Sequence, residues 1–455
     1  MINVMKVVVI GCTHAGIAAV KQILTYYPEA DITVYERQNT ISYLSCATYL
    51  HIEGTVAALA DARYAEPQDF IKRGVHLATN HDVIRINAAA HCLLVQDLLT
   101  KKISRTSYDK LIVATGSVTA IPAISGVENP KVLLCKTYDE AHDLCAYAAD
   151  QQSVAIVGGG YIGVELAEGY ATAGYQVLLI QKPAHLLNGY VEPAIGDKIL
   201  RLLTSKGVKV LTDTVVTSFQ DAPDDQLLIT TDQDSYHVDM AAISAGMLPQ
   251  TDLLAGQVEM AKNGAILVDD YLQTSDPDIF AAGDAAMSHN NPTDDSVYAP
   301  LASNAVRQGT VAGINVGDRR LRMLGTQVTT GMKIFEHTMA CTGLTVAAAQ
   351  AADLNVGHVE YTGTYRPNFM PAPHPITVEL VYDRNNRKIL GAQLLCAHDI
   401  SQAANTVSAL IQNGGTIDQL ALMDMLFSPN FNEPFNYLNL AGQMAVEQEN
   451  GYWRS

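Results

Sequence analysis

Two stretches of this chain repeat one pattern: an apolar strand, a tight glycine turn, a helix and a second strand. The first runs from Val7-Val8-Val9-Ile10 into Gly11-Cys12-Thr13-His14-Ala15-Gly16, through an alanine-rich helical stretch to Tyr27, then along Ile32 to Tyr35 and ends at Glu36. The second runs from Val154 to Val157 into Gly158-Gly159-Gly160-Tyr161-Ile162-Gly163, through a helix to Ala173, then along Val177 to Ile180 and ends at Gln181. Each is one βαβ unit of a parallel sheet, and two such units predict two dinucleotide sites. Three further strands close on small residues: Leu111 to Val113 before Thr115-Gly116, Ala241 to Ile243 before Gly246, and Ile279 to Ala281 before Gly283-Asp284. The simplest arrangement is a first domain interrupted by an inserted second. Segments 1–120 and 249–325 form the first and 121–248 the second, with Pro122 and Pro249 near the crossings.

From about residue 326 the pattern changes. Apolar runs Ile376 to Tyr382 and Ile389 to Leu395 flank the polar turn Asp383-Arg384-Asn385-Asn386-Arg387, and helical runs start near Ser401 and Ile417. Residues 326–455 therefore read as a third, α+β domain. The predicted fold is α/β: two Rossmann-like domains and a C-terminal α+β domain.

Composition narrows the setting. The net charge of −18 argues against nucleic acid or an anionic membrane as a general partner. No apolar run reaches the roughly 18 residues that span a bilayer, and the N-terminus lacks a signal-peptide pattern. Seven scattered cysteines, without zinc-ligand spacing, fit a reducing, cytoplasmic setting and predict no metal.

In the first turn, Gly11 makes the bend and Gly16 lets helix pack on strand, while Thr13 stands at the central glycine position. The helix end offers N–H groups to a pyrophosphate, and Glu36 is placed to bond a ribose hydroxyl. His14, beside that phosphate turn, is a candidate acid, base or site organiser. Cys46 stands alone in Ser42-Tyr43-Leu44-Ser45-Cys46, with Ile41 and His51 where a C-x-x-x-x-C partner would lie. One thiol points to a thiol/sulfenic acid cycle rather than a disulfide cycle. Its place at a helix start predicts a lowered pKa. The second turn carries the full fingerprint in Gly158, Gly160 and Gly163, but Gln181 stands where an acid is expected, with Lys182 next and His185 close behind. Loss of the acid and gain of a cation predict that NADPH is used at least as well as NADH.

Taken together, GCTHAG, SYLSC, GGGYIGVELAE, TSDPDIFAAGDAA, PLASNAVRQG and FSPNFNEPFNYLN resemble the single-cysteine class of the pyridine nucleotide-disulfide oxidoreductase superfamily. The likeness covers essentially the whole chain. It is greatest to the water-forming NAD(P)H oxidases, relatives of the NADH peroxidases and coenzyme A-disulfide reductases. The resemblance implies FAD at Gly11, His14, Ala15, Gly16, Glu36, Cys46, Thr115, Gly116, Lys136, Asp284, Leu301, Ala302 and Ser303. It implies that Phe427 reaches the flavin of a partner subunit, making the third domain a dimerisation domain and the protein a homodimer or dimer of dimers. It implies nicotinamide contacts at Gly160, Ile162, Gln181, Tyr190, Gly246 and Gly331. The expected substrate is dioxygen, or peroxide, with Cys46 cleaving the O–O bond and His14 stabilising the departing hydroxide. Two departures stand out: Gln181 replaces the usual Asp, and Ala47 stands where a Gly commonly follows the redox Cys.

Overall fold

The computed structural model describes residues 4–451. A five-stranded parallel sheet forms the first body, in the order Ile279–Ala281, Lys110–Val113, Lys6–Ile10, Asp31–Tyr35 and His76–Ala78. Its central strands are apolar along their whole length because both faces are covered. Val7 and Val9 pack under the helices His14–Tyr26 and Ala302–Asn315, while Val8 and Ile10 pack under an antiparallel meander, His81–Asn87, Cys92–Asp97 and Ile103–Ser107.

The second body repeats this plan. Its parallel sheet runs Lys209–Leu211, Gln176–Ile180, Ser153–Val157, Met240–Ile243 and Val132–Leu133. Val154 and Ile156 face the helix Tyr161–Thr172, and Ala155 and Val157 face the meander Val216–Asp221, Leu227–Thr231 and Ser235–Val238. Neither meander is visible as a helix-period signal, and both stand where a doubly wound fold would place helices. Chain crossings between the two bodies pair with each other, Ser117–Thr119 antiparallel to Met247–Pro249.

The C-terminal body is a five-stranded antiparallel sheet, Thr330–Ile334, His337–Gly343, Ile389–Cys396, Pro375–Asp383 and Val356–Thr364. Helices Ser401–Gln412, Ile417–Leu422 and Tyr437–Glu449 complete it, burying Val407, Leu420, Leu438 and Ala441.

Candidate active site

Both glycine turns lie at the carboxyl ends of the parallel strands, where α/β sheets bind ligands. Gly11 has φ +95°, and a Cβ there would meet the Ala114 carbonyl. A Cβ on Gly16 would strike the Gly11 carbonyl, so only glycine lets this helix sit on the strand end. The buried Glu36 carboxylate accepts the N–H of Cys12 at 2.6 Å and of Gln38 at 2.8 Å. Burial raises its pKa, and those N–H bonds oppose the rise.

Construction of the second turn is parallel. A Cβ on Gly158 would meet the Ser244 carbonyl, and one on Gly163 the Gly158 carbonyl. The buried Gln181 does here what Glu36 does in the first turn: its Oε1 accepts the Gly159 N–H at 2.7 Å. Its Nε2 donates to the His185 carbonyl at 3.3 Å. The turn is thus braced without a negative charge. Lys182 is exposed and forms no ion pair among the described residues, whereas His185 is engaged by Asp197 at 2.8 Å.

The helices after Thr13, Gly160 and Leu301 all begin without a side-chain cap and without an acid in the first turn. By contrast, Thr137, Thr345, Thr416 and Asn436 cap theirs. Unclaimed N–H groups at a helix start favour phosphate. A Cβ added at Gly116 or Gly160 would meet nothing within 4 Å, so the backbone is approachable at both places. These features fit the pyrophosphates of FAD and of a nicotinamide nucleotide. Ala302 and Ser303 are exposed at the helix start after Leu301; the helices after Glu192 and Ile400 also begin uncapped but follow neither glycine turn.

A charged cluster stands beside the first turn. Asp284 accepts the Ser117 hydroxyl at 2.6 Å and the Lys136 ammonium at 3.2 Å. Thr115 donates to the Gln250 carbonyl. His14 opens its helix within the field of both charges: burial lowers its pKa, Asp284 raises it and Lys136 lowers it. The imidazole is therefore neutral near pH 7. Cys46, the one exposed cysteine, also feels Lys136, and all seven cysteines are free thiols.

The expected lowering of the Cys46 pKa is not found. Cys46 sits in a single 3-10 turn, Ser45–Ala47, ahead of a helix of five residues, Thr48–Ile52. So short a helix carries little dipole. Although the residue is exposed, protein packed around the sulfur desolvates and raises the thiol, and the Glu165 carboxylate raises it further, against its own backbone N–H and Lys136. Glu165 comes from the helix Tyr161–Thr172, which packs on Thr48–Ile52. The approach is close enough that a Cβ at Gly169 would lie 3.0 Å from the Tyr49 carbonyl. Glu165, one turn before Gly169 on the same face, is itself pushed up to about 8 by burial and by Glu168.

Gly11, Ala15, Gly16, Glu36, Thr115, Gly116 and Asp284 thus gather at the carboxyl end of the first parallel sheet, with His14 opening its helix there and Lys136 bonded to Asp284. Gly158, Gly160, Ile162, Gly163, Gln181 and Gly246 gather at the carboxyl end of the second. Tyr190 packs edge-on against Tyr161 at 4.7 Å between ring centroids. The Tyr161 hydroxyl meets Cys341 Sγ at 3.2 Å, and Cys341 pairs in register with Thr330, the neighbour of Gly331. Phe427 is exposed in the loop before Tyr437–Glu449, with the exposed Leu426 and Phe431 in the same loop. Sequence reasoning missed Tyr64 and gave no role to Ser42 or Glu165, although both stand in quoted motifs; the φ of +63° at Ser42 carried no signal in its residue type.

Residues 5–309 match the pyridine nucleotide-disulphide oxidoreductase family, and residues 329–438 match its dimerisation domain. The chain belongs to this family. An NADH oxidase of Enterococcus faecalis is 41% identical over 444 residues, covering 97% of this chain and 100% of that protein. A water-forming NADH oxidase from Lactobacillus brevis, solved with NADH, matches with TM-score 0.96 at 43% identity, over 98% of this chain and 99% of that one. An engineered water-forming NADPH oxidase made from it, solved with NADPH, gives the same TM-score of 0.96, identity of 43% and coverages of 98% and 99%. Its substitutions include an Asp changed to Ala and the following Ala changed to Arg. As a member of this pyridine nucleotide-disulphide oxidoreductase family, the protein is an FAD-dependent flavoprotein oxidoreductase of pyridine nucleotides. None of its described helices is long and apolar enough to cross a membrane.

Proposed function

We propose that this oxidoreductase reduces dioxygen fully to water at the expense of NADH or NADPH, through a thiolate/sulfenic acid cycle at Cys46. The observation that carries the reading is a single exposed thiol within the field of Lys136, the same ammonium that acts on His14, the other six cysteines being buried or half-buried. When bound, FAD supplies the electron path from nicotinamide nucleotide to dioxygen and to the oxidised sulfur.

The protein's own residues account for the rest. Gly11, Ala15, Gly16, Glu36, Thr115, Gly116, Lys136, Asp284, Leu301, Ala302 and Ser303 hold FAD. Gly158, Gly160, Ile162, Gly163, Gln181, Lys182, Tyr190, Gly246 and Gly331 hold the nicotinamide nucleotide. Two electrons from the first nicotinamide nucleotide and two protons convert dioxygen to hydrogen peroxide; the Cys46 thiol, after giving its proton to solvent, attacks the near peroxide oxygen as thiolate, an S–O bond forms and the O–O bond breaks. Sulfur gives up two electrons, and the far oxygen leaves as hydroxide and takes a proton from solvent to become water. His14, neutral and carrying one N–H, stabilises the hydroxide as it departs. A hydride equivalent from a second nicotinamide nucleotide then returns the sulfenic acid to thiolate and releases the second water.

Gln181 and Lys182 support use of NADPH at least as well as NADH. Together they present no carboxylate and one unpaired cation, the same sense of charge change as the engineered NADPH oxidase. The dimerisation domain and the exposed Leu426, Phe427 and Phe431 support a homodimer in which Phe427 approaches the partner's flavin. Seven unpaired thiols support a cytoplasmic setting.

Product stoichiometry tests the reading. The wild-type protein should oxidise about two nicotinamide nucleotides per dioxygen, and Cys46→Ser about one, with peroxide accumulating. A Cys46→Ser protein that still made only water would remove Cys46 from the reaction.

A further inference from the structure

We propose that Tyr64 is a positioning residue for His14, fixing which ring nitrogen faces the site; this rests on the function proposed for Cys46 and His14. The contact is explicit. The Tyr64 hydroxyl lies 3.0 Å from His14 Nδ1, and the two rings lie parallel, 3° apart in plane with centroids separated by 5.6 Å. Among the described residues no group hydrogen-bonds His14 Nε2. With Nδ1 tied to Tyr64, Nε2 is the nitrogen left for the site.

Tyr64 is fastened where it can do this. It lies in the irregular stretch between a 3-10 turn, Leu59–Ala62, and a helix, Pro67–Ile71. The residues around it are laced to the loop that carries Cys46. The Ala62 carbonyl accepts the Leu44 N–H at 3.0 Å, and Arg63 forms a bridge with Tyr43. On the far side, Ser42 Oγ donates to the Ala65 carbonyl at 2.7 Å and accepts the Ala65 N–H at 3.1 Å. Ser42 is fully buried, and its own N–H donates to the Cys12 carbonyl at 3.1 Å. One buried serine therefore joins the glycine turn, the Cys46 loop and the Tyr64 segment. His14 leaves the first of these, Cys46 ends the second, and Tyr64 projects from the third.

The proton inventory assigns the ring's state. Although Tyr64 is partly exposed, desolvation by the protein around it, and after that Cys12, hold the phenol above its ordinary range, so it keeps its proton. Burial holds His14 below its ordinary value. The pair at neutral pH is a phenol and a neutral imidazole: the hydroxyl donates to the Nδ1 lone pair, and the ring proton resides on Nε2. A ring with the other tautomer would aim a lone pair, not an N–H, at the hydroxide leaving Cys46. When His14 is protonated, Nδ1–H donates to the phenol oxygen instead, and this charge-assisted bond is the stronger of the two. Tyr64 therefore fixes the ring's orientation in both charge states, and loss of its charge-assisted bond withdraws support from the protonated ring.

Tyr64→Phe keeps the stacked ring and deletes only the hydroxyl. In the FAD-loaded enzyme we expect unchanged flavin absorbance and an unchanged KM for NADH. Turnover should fall roughly 10-fold, at the low end of what a placed acid–base group contributes. The limb of the pH–kcat profile that disappears in His14→Ala should move to lower pH. Adding Tyr64→Phe to His14→Ala should cost nothing further. A Tyr64→Phe enzyme with wild-type turnover and pH profile, or effects of the two substitutions that multiply, would overturn the assignment. Should the wild-type protein itself release peroxide, the water-forming reading falls. The pH displacement and the non-additivity, both read on NADH oxidation, would still decide the role of Tyr64.

Discussion

Replacing Gly160 with alanine separates what the fold requires of a glycine from what a bound nucleotide requires. Gly160 precedes the helix Tyr161–Thr172 with φ −80° and ψ −168°, a conformation open to any residue. A Cβ built there meets nothing within 4 Å. The folded protein therefore has no steric need for glycine at this place, and the substitution should alter stability by no more than about 0.5 kcal/mol. A nucleotide does have such a need, because its pyrophosphate must approach the backbone at the middle of the turn. A methyl group there removes at least one charge-assisted N–H bond, worth about 1.5–3 kcal/mol. At about 1.4 kcal/mol per decade, KM for NADH and NADPH should rise by roughly 10- to 150-fold. The contrast is Gly163→Ala, whose Cβ would collide with the Gly158 carbonyl. Backbone cannot yield as a side-chain tip can, so overpacking should cost about 1–3 kcal/mol and lower the melting temperature by several degrees. Thermal melts and steady-state kinetics on the two FAD-loaded variants decide the matter. If Gly160→Ala melts as early as Gly163→Ala, or binds nucleotide as well as wild type, the turn does not work this way.

Two further outcomes follow from single contacts. Gln181→Asp keeps an oxygen for the Gly159 N–H but restores a carboxylate beside Lys182. Steady-state kinetics should show kcat/KM for NADPH falling about 10-fold or more, with NADH little changed. In the C-terminal sheet, His358 Nε2 lies 2.7 Å from the buried Glu379 carboxylate, whose hydrogen bond raises the imidazole pKa above 6.5. A folded-state pKa raised in this way gives stability that is complete below about 6.5 and disappears as pH rises through the raised value. The melting-temperature difference between wild type and His358→Gln should therefore be widest at acidic pH and shrink with rising pH; a constant difference would refute it.

The parts of the site legible in the sequence are those that one short stretch determines alone. A glycine that must sit on a strand end, such as Gly16 or Gly163, appears at a fixed spacing from that strand, and the apolar run before it names the strand. The third body was legible where its hairpin is regular, around Asp383-Arg384-Asn385-Asn386-Arg387, because an apolar strand flanks each side of a polar turn. The meander strands His81–Asn87 and Val216–Asp221 went unread because each is short, only partly apolar and lies outside the βαβ units that the glycine turns mark. The thiol's electrostatics failed for a similar reason. A helix start after Cys46 is visible in sequence, but its five-residue length is not, and neither is Glu165, which arrives from a segment more than 100 residues away. The same holds for Tyr64. Its partner His14 stands in a recognisable turn, yet the two meet only because Ser42 takes a left-handed conformation and bonds both Cys12 and Ala65. No periodicity announces such a residue, since its effect lies in which segments it joins rather than in which element it occupies. Chemistry-bearing side chains in this protein are thus named by local motifs, while their ionisation and orientation are set by distant segments that the tertiary fold brings against them. A homologue that keeps GCTHAG and Cys46 but has neither Ser42 nor Tyr64 should retain the thiol and the histidine while losing control of the histidine's tautomer.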